Sequence, residues 1–268
     1  MTMRKSMLRD LVILLAIFGC IWGIISFFPL FPEKVELLSI EKEEALGDRY
    51  LEMLMKEPGF TVLESEEVGD AIEAIGLRLE NALEDSEYEY DYVVIEDRMI
   101  NAFTLPGANI LITTGLIEFA GSAEELAAVI AHEMAHVEER HVVTRLAKEL
   151  GIAVLTSGDQ FVVGEVTRIM ASTGFDRGQE EEADYFACAL LEDAHIEPRI
   201  LATFFRKLKE EKNNALLEKF EIVSTHPNFT SRIREVLEYV PEKDFETLPL
   251  AIEWEAMQHQ LLSSESDI

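Results

Sequence analysis

The sequence predicts an α+β fold: a mostly helical domain around a small antiparallel sheet, preceded by one N-terminal transmembrane helix. Three features lead to that reading. Residues 11–31 (LVILLAIFGCIWGIISFFPLF) carry no charge over 21 positions, enough as a helix to span about 31 Å, one hydrocarbon thickness. Most of the remaining chain repeats its apolar residues at helical spacing. Only residues 90–113 switch to runs of β-branched and aromatic residues.

Arg4, Lys5 and Arg9 precede the apolar run, and Glu33, Glu36, Glu41, Glu43 and Glu44 follow it. The positive-inside rule therefore leaves residues 1–10 in the cytoplasm and carries the rest outside. The run is longer than the apolar core of a signal peptide and no A-x-A-like site follows it, which favours an uncleaved anchor over a leader. Lipidation at Cys20 is disfavoured by the bulky Phe18 before it. Residues 32–44 read as a linker. Ala45, Tyr50, Leu51 and Leu54, then Val68, Ile72, Ile75 and Leu79, predict two helices separated by Pro58-Gly59. Residues 90–95, 99–105 and 109–113 predict three strands, the last two joined by a turn at Pro106-Gly107. Helices follow over 122–150, 160–172, 179–194, 198–212, 229–240 and 250–261, and residues 262–268 read as a solvated tail. The predicted domain proper is 45–261, without a repeat of solenoid length.

Composition excludes several function classes. With 23 Lys+Arg against 52 Asp+Glu the formal net charge is −29, which repels phosphate backbones, so no nucleic-acid partner is expected. The two cysteines, Cys20 in the apolar run and Cys188, provide neither a disulfide framework nor a cysteine-based zinc site. A metal would have to rest on histidines and carboxylates.

His132-Glu133-Met134-Ala135-His136 supplies such residues within the predicted helix 122–150, for which Ser122 is a suitable N-cap. Positions i and i+4 lie about 40° apart around a helix, so both imidazoles leave one face and can bind one ion. Glu133 stands beside them as a general base for water at the open metal position. A third ligand is needed. A layout with Gly and His further along fails, because Glu139 and Val142 occupy those positions. A Glu from a later helix is the other layout, and residues 177–184 (RGQEEEAD) offer Glu180, Glu181 and Glu182. Glu180 shares the inward face with Ala183, Asp184, Ala187 and Leu191, which makes it the third ligand, with Asp184 one turn on to orient a ligand imidazole. Glu181 and Glu182 read as solvated. His141 reads as a structural residue or a support behind the ligands, whereas His195 and His259 show no partner pattern.

Four blocks, HEMAHVEERH, RGQEEEAD, NAFTLPGANILITTGLI and Thr225-His226-Pro227 with Arg232-Ile233, together resemble the membrane-associated gluzincin peptidases typified by the heat-shock protease HtpX and the CAAX prenyl endopeptidases. The blocks span residues 101–233, half the chain. Ala108 stands where that family has a second Gly, and Asp176 where it often has Ser. The single apolar run, where relatives of HtpX have several membrane helices, is closer to the single-anchor exported branch.

The resemblance implies a zincin (gluzincin) fold with one Zn²⁺ per chain on His132, His136 and Glu180, hydrolysing peptide bonds without a covalent intermediate. His226 or Arg232 would donate to the oxyanion; alternatively, a neutral His226 would close the open metal position and keep the enzyme latent. A strand at 101–105 beside the metal would pair with an extended polypeptide through its main chain, with Asn101 and Ala102 flanking the cleft and residues 151–174 as a lid. The expectation is a single-pass protein of the cytoplasmic (inner) membrane with a periplasmic catalytic domain, degrading unfolded or misassembled envelope proteins. The alternative is a zinc-stabilised, mostly latent binding or chaperone-like module.

Overall fold

Side-chain caps start the helices that frame the centre of the molecule. In the computed structural model, Ser65, Thr113 and Ser122 accept hydrogen bonds from the backbone N–H of Val68, Leu116 and Glu125, and Asp176 forms a reciprocal capping box with Gln179. The structure describes residues 38–151, 155, 164–166, 168–169, 174–214, 222, 226, 228–242 and 245–265. The apolar run 11–31, most of the expected helix 160–172 and of the expected lid 151–174, and Thr225 and Pro227 lie outside the described residues. Among the described residues, no helix is long and apolar enough to cross a membrane.

The order is α1 (Ile40–Leu54), α2 (Glu66–Glu80), β1 (Asp91–Ile95), β2 (Ala102–Thr104), β3 (Asn109–Thr113), α3 (Thr114–Phe119), α4 (Ala123–Glu138), α5 (His141–Leu150), α6 (Arg177–Asp193), α7 (Ile200–Asn214), α8 (Phe229–Glu238) and α9 (Trp254–Glu265). The α+β class is as the sequence predicts, but the sheet is mixed rather than antiparallel. Its strand order is β1-β3-β2, with β2 antiparallel and β1 parallel to β3. The connection after β1 explains this. The Asp97 carbonyl accepts from Gly115 N–H and from the Thr114 hydroxyl, which ties the connection to the end of β3 and sends β2 to the far side. Gly107 (φ 73°) and Ala108 (φ 65°) then turn the chain from β2 into β3; the left-handed conformation is natural for the first and strained for the second.

Helix limits also differ from expectation. The helix predicted over 122–150 is broken into α4 and α5 at Arg140, whose backbone is left-handed (φ 55°, ψ 30°). At the C-terminal end, α9 continues to Glu265 into the stretch expected as a tail, because Leu261 is buried and Gln258 Nε2 donates to the carbonyls of Ile117 and Ala120.

Helix α4 is the core of the fold. Every residue from Glu125 to Val137 is buried, with Leu126, Val129, Ile130 and Met134 packed in one hydrophobic cluster with α2, the sheet, α6 and α7. A helix enclosed on all sides needs no polar face, and its alanines (Ala127, Ala128, Ala131, Ala135) let neighbouring elements approach. Its polar residues His132, Glu133 and His136 are therefore buried away from bulk solvent, which commits them to partners at the site.

Candidate metal centre

The centre lies where α4, α6 and the segment before α8 meet. One donor atom from each of His132, His136, Glu180 and His226, all buried, lies within 4.8 Å of the others. His132 Nε2 is 3.2 Å from His136 Nε2 and 3.6 Å from Glu180 Oε2, and His136 Nε2 is 3.8 Å from Glu180 Oε1. Ligands at zinc bond lengths in a tetrahedron are about 3.4 Å apart, so the donor set has the right size for one ion.

Proton positions point the same way. Asp184 Oδ1 is 3.0 Å from His132 Nδ1, so the imidazole donates from Nδ1 and presents a lone pair at Nε2. Burial, then the charges of His132 and His226, holds the His136 imidazole well below its usual pKa, in the neutral form that ligates. A neutral His136 whose Nδ1 carries the proton presents a second lone pair, facing the first at 3.2 Å. Two such lone pairs face one another where one cation can take both, although Arg232 Nη2 also lies 3.3 Å from His132 Nε2, so the residues fit a metal ion.

The remaining predicted residues fall around this core. Glu133 is 1 % exposed; its Oε2 accepts from the Thr104 hydroxyl at 2.9 Å, and its Oε1 is 3.4 Å from His226 Nε2. Burial pushes the Glu133 carboxyl up, against the pull of His226 and His132. Burial likewise disfavours charge on Asp184, but Arg232 outweighs it and holds this carboxyl at about 2. Arg232 donates from Nε and Nη2 to both oxygens of Asp184 (2.7 and 2.6 Å), and its Nη1 is 2.5 Å from Glu180 Oε2. Its guanidinium lies over the Phe205 ring at 4.2 Å. His226 Nδ1 lies 2.9 Å from Glu180 Oε1 and 3.2 Å from His132 Nε2. His141 Nδ1 is 2.9 Å from His136 Nδ1.

The predicted strand reaches the site as the sheet edge β2. Thr113 N–H donates to Asn101 O and Leu105 N–H to Asn109 O, so by antiparallel alternation the main-chain groups of Ala102 and Thr104 point to the outer edge. The Asn101 and Ala102 side chains are themselves buried.

The sequence pattern of Peptidase family M48 matches residues 67–240, well over half the chain. The chain belongs to this family. It is 34% identical over 148 residues to the mitochondrial metalloendopeptidase OMA1 of Arabidopsis thaliana, covering 53% of this chain and 30% of that protein. To the OMA1 metalloendopeptidase of Schizosaccharomyces pombe it is 29% identical over 164 residues, covering 59% and 48%. To the beta-barrel assembly-enhancing protease of Escherichia coli it is 26% identical over 213 residues, covering 73% and 43%. The chain thus spans less than half the length of these curated relatives.

Sequence reasoning missed Thr104, Phe175 and Glu182. Thr104 was detectable, since it shares a strand face with Ala102 and is the polar residue on it. Phe175 stacks on His136 with ring centroids 3.8 Å apart, and no pattern signals that. Glu182, read as solvated, has a half-exposed side chain whose Oε2 lies 3.3 Å from His141 Nε2. His195 bonds the Glu246 carbonyl through Nδ1, away from the centre.

Proposed function

We propose that this chain is a zinc-dependent endopeptidase, anchored in the cytoplasmic membrane by residues 11–31, that hydrolyses unfolded or misassembled envelope polypeptides on the outer side. The observation that carries the reading is the buried donor set of His132, His136 and Glu180 with the Glu133 carboxylate beside it. The one zinc held there would act as a Lewis acid on the scissile carbonyl and acidify water for attack. Glu133 accepts the proton of the attacking water at Oε1, while the Thr104 hydroxyl holds Oε2, and passes it on to the leaving amine. Asp184 fixes the tautomer of His132 and Arg232 fixes Asp184. Because the Arg232 nitrogens are engaged by two carboxylates, we assign it to positioning and the oxyanion donor role to His226. The outer edge of β2 pairs with an extended substrate through the main chain of Ala102 and Thr104, which selects unfolded segments over particular side chains.

A latent state is favoured by a specific observation. His226 adds a fourth protein donor, as in closed structural sites, and Ile222 N–H donates to the Ile100 carbonyl at the start of the β2 edge. In that state the protein would act as a zinc-stabilised binding module. Zinc content and cleavage of unfolded casein test both readings. Glu133→Gln is expected to keep zinc and lose about 10²–10⁴-fold in cleavage rate. If it cleaves as fast as the parent, the general base is misassigned. If the zinc-loaded parent, with Glu133 and His226 both in place, cleaves no unfolded casein at all, the binding module is the better account.

A further inference from the structure

We propose that His141 and Glu182 form a positioning pair that fixes the tautomer and orientation of His136, and that the break at Arg140 exists to fold this pair onto the metal centre. The proposal rests on the reading above that His136 is a metal ligand. On an unbroken α-helix, a residue five positions on lies about 140° around the axis and over 7 Å along it, out of reach. Here Arg140 leaves the helix in the left-handed region, and His141 Nδ1 arrives 2.9 Å from His136 Nδ1. A side chain with a Cβ is strained in that conformation, so something must hold it. Arg140 Nη2 does so, donating to the Leu38 carbonyl at 2.6 Å and to Glu43 Oε2 at 2.7 Å.

The contacts then admit one proton arrangement. If Nε2 of His136 ligates, its Nδ1 must carry the hydrogen and donate it to His141 Nδ1. His141 accepts there only as the tautomer protonated at Nε2, and that N–H faces Glu182 Oε2 at 3.3 Å. Phe175, stacked on the His136 ring, closes its other rotational freedom. The two ligating imidazoles are thus held differently. His132 leans directly on a buried carboxylate, whereas His136 leans on a neutral imidazole whose own carboxylate partner is half exposed.

The test is the zinc dissociation constant of the full chain, measured against a chromophoric chelator, with the visible spectrum of the Co²⁺-loaded protein and the melting temperature of the metal-free protein as companion readouts. His141→Leu removes the acceptor and is expected to weaken zinc binding about 10–100-fold and to alter the Co²⁺ spectrum. His141→Asn keeps an acceptor at the position of Nδ1 and is expected to restore affinity to within about threefold of the parent. Glu182→Gln, on the surface, is expected to weaken binding by about threefold to tenfold with an unchanged metal-free melting temperature, while Glu181→Gln changes nothing. Parental affinity in His141→Leu, or in Glu182→Gln should the former not fold, overturns the proposal, as does Asn binding as weakly as Leu. A folded parent that takes up no zinc overturns the underlying reading and this proposal together.

Discussion

Behind His132 the centre is built from paired charge, and in front of it from a carboxylate that is only half satisfied. At the rear, Arg232 is 2 % exposed and carries Asp184 on two hydrogen bonds and Glu180 on a third contact. At the front, Glu133 is as deeply buried, yet it has one hydroxyl partner at Oε2 and, at Oε1, only the His226 imidazole 3.4 Å away in place of a guanidinium. Buried charges are tolerable when pairing is complete, and such a cluster then resists rearrangement. An incompletely bonded buried carboxylate is a departure from that rule that calls for an explanation, and a place for a reactant's proton is one. The rear thus serves as a frame and the front as the working surface.

The largest effect should come from breaking the frame. Arg232→Met leaves Asp184 and Glu180 buried without their counter-charge and should lower stability by about 3–5 kcal/mol, read as a shifted urea midpoint of the metal-free chain. Glu133→Gln, at the front, should leave that midpoint nearly unchanged; equal losses would erase the distinction. Next, Asp184→Asn removes the charged support of His132 and should weaken zinc binding about 10–100-fold, measured by chelator competition. At the front, Thr104→Val frees Glu133 Oε2 and should lower kcat by up to about tenfold with KM unaltered, the loss of roughly 1 kcal/mol of hydrogen bonding. The smallest effect concerns Arg140. Glycine adopts its left-handed backbone freely and valine resists it, so Arg140→Gly should be the more stable of the two variants by about 1–2 kcal/mol in thermal unfolding.

Helical phase carried most of what the sequence disclosed. The spacing of His132, Glu133 and His136 and the inward face of Glu180 and Asp184 follow from 100° per residue, and both helices keep that phase in the fold. The sheet was legible as three strands but not in direction, because a strand's composition does not say which neighbour it pairs with; here the tie from Asp97 to α3 decides it. The contact of His141 with His136 was hidden for a related reason. It depends on a phase break at an arginine, and arginine gives no sign of a left-handed backbone. Glu182 escaped because partial exposure and a hydrogen bond to the interior coexist in one long side chain.

The central claim, a metal centre closed by a glutamate from α6, is tested most directly by the zinc content of the purified full chain beside Glu180→Ala and Glu181→Ala. The account predicts about one zinc per chain in the parent and in Glu181→Ala, and loss of the metal in Glu180→Ala. A folded parent that takes up no zinc when supplied with it, or a Glu180→Ala variant that keeps the ion, would contradict it.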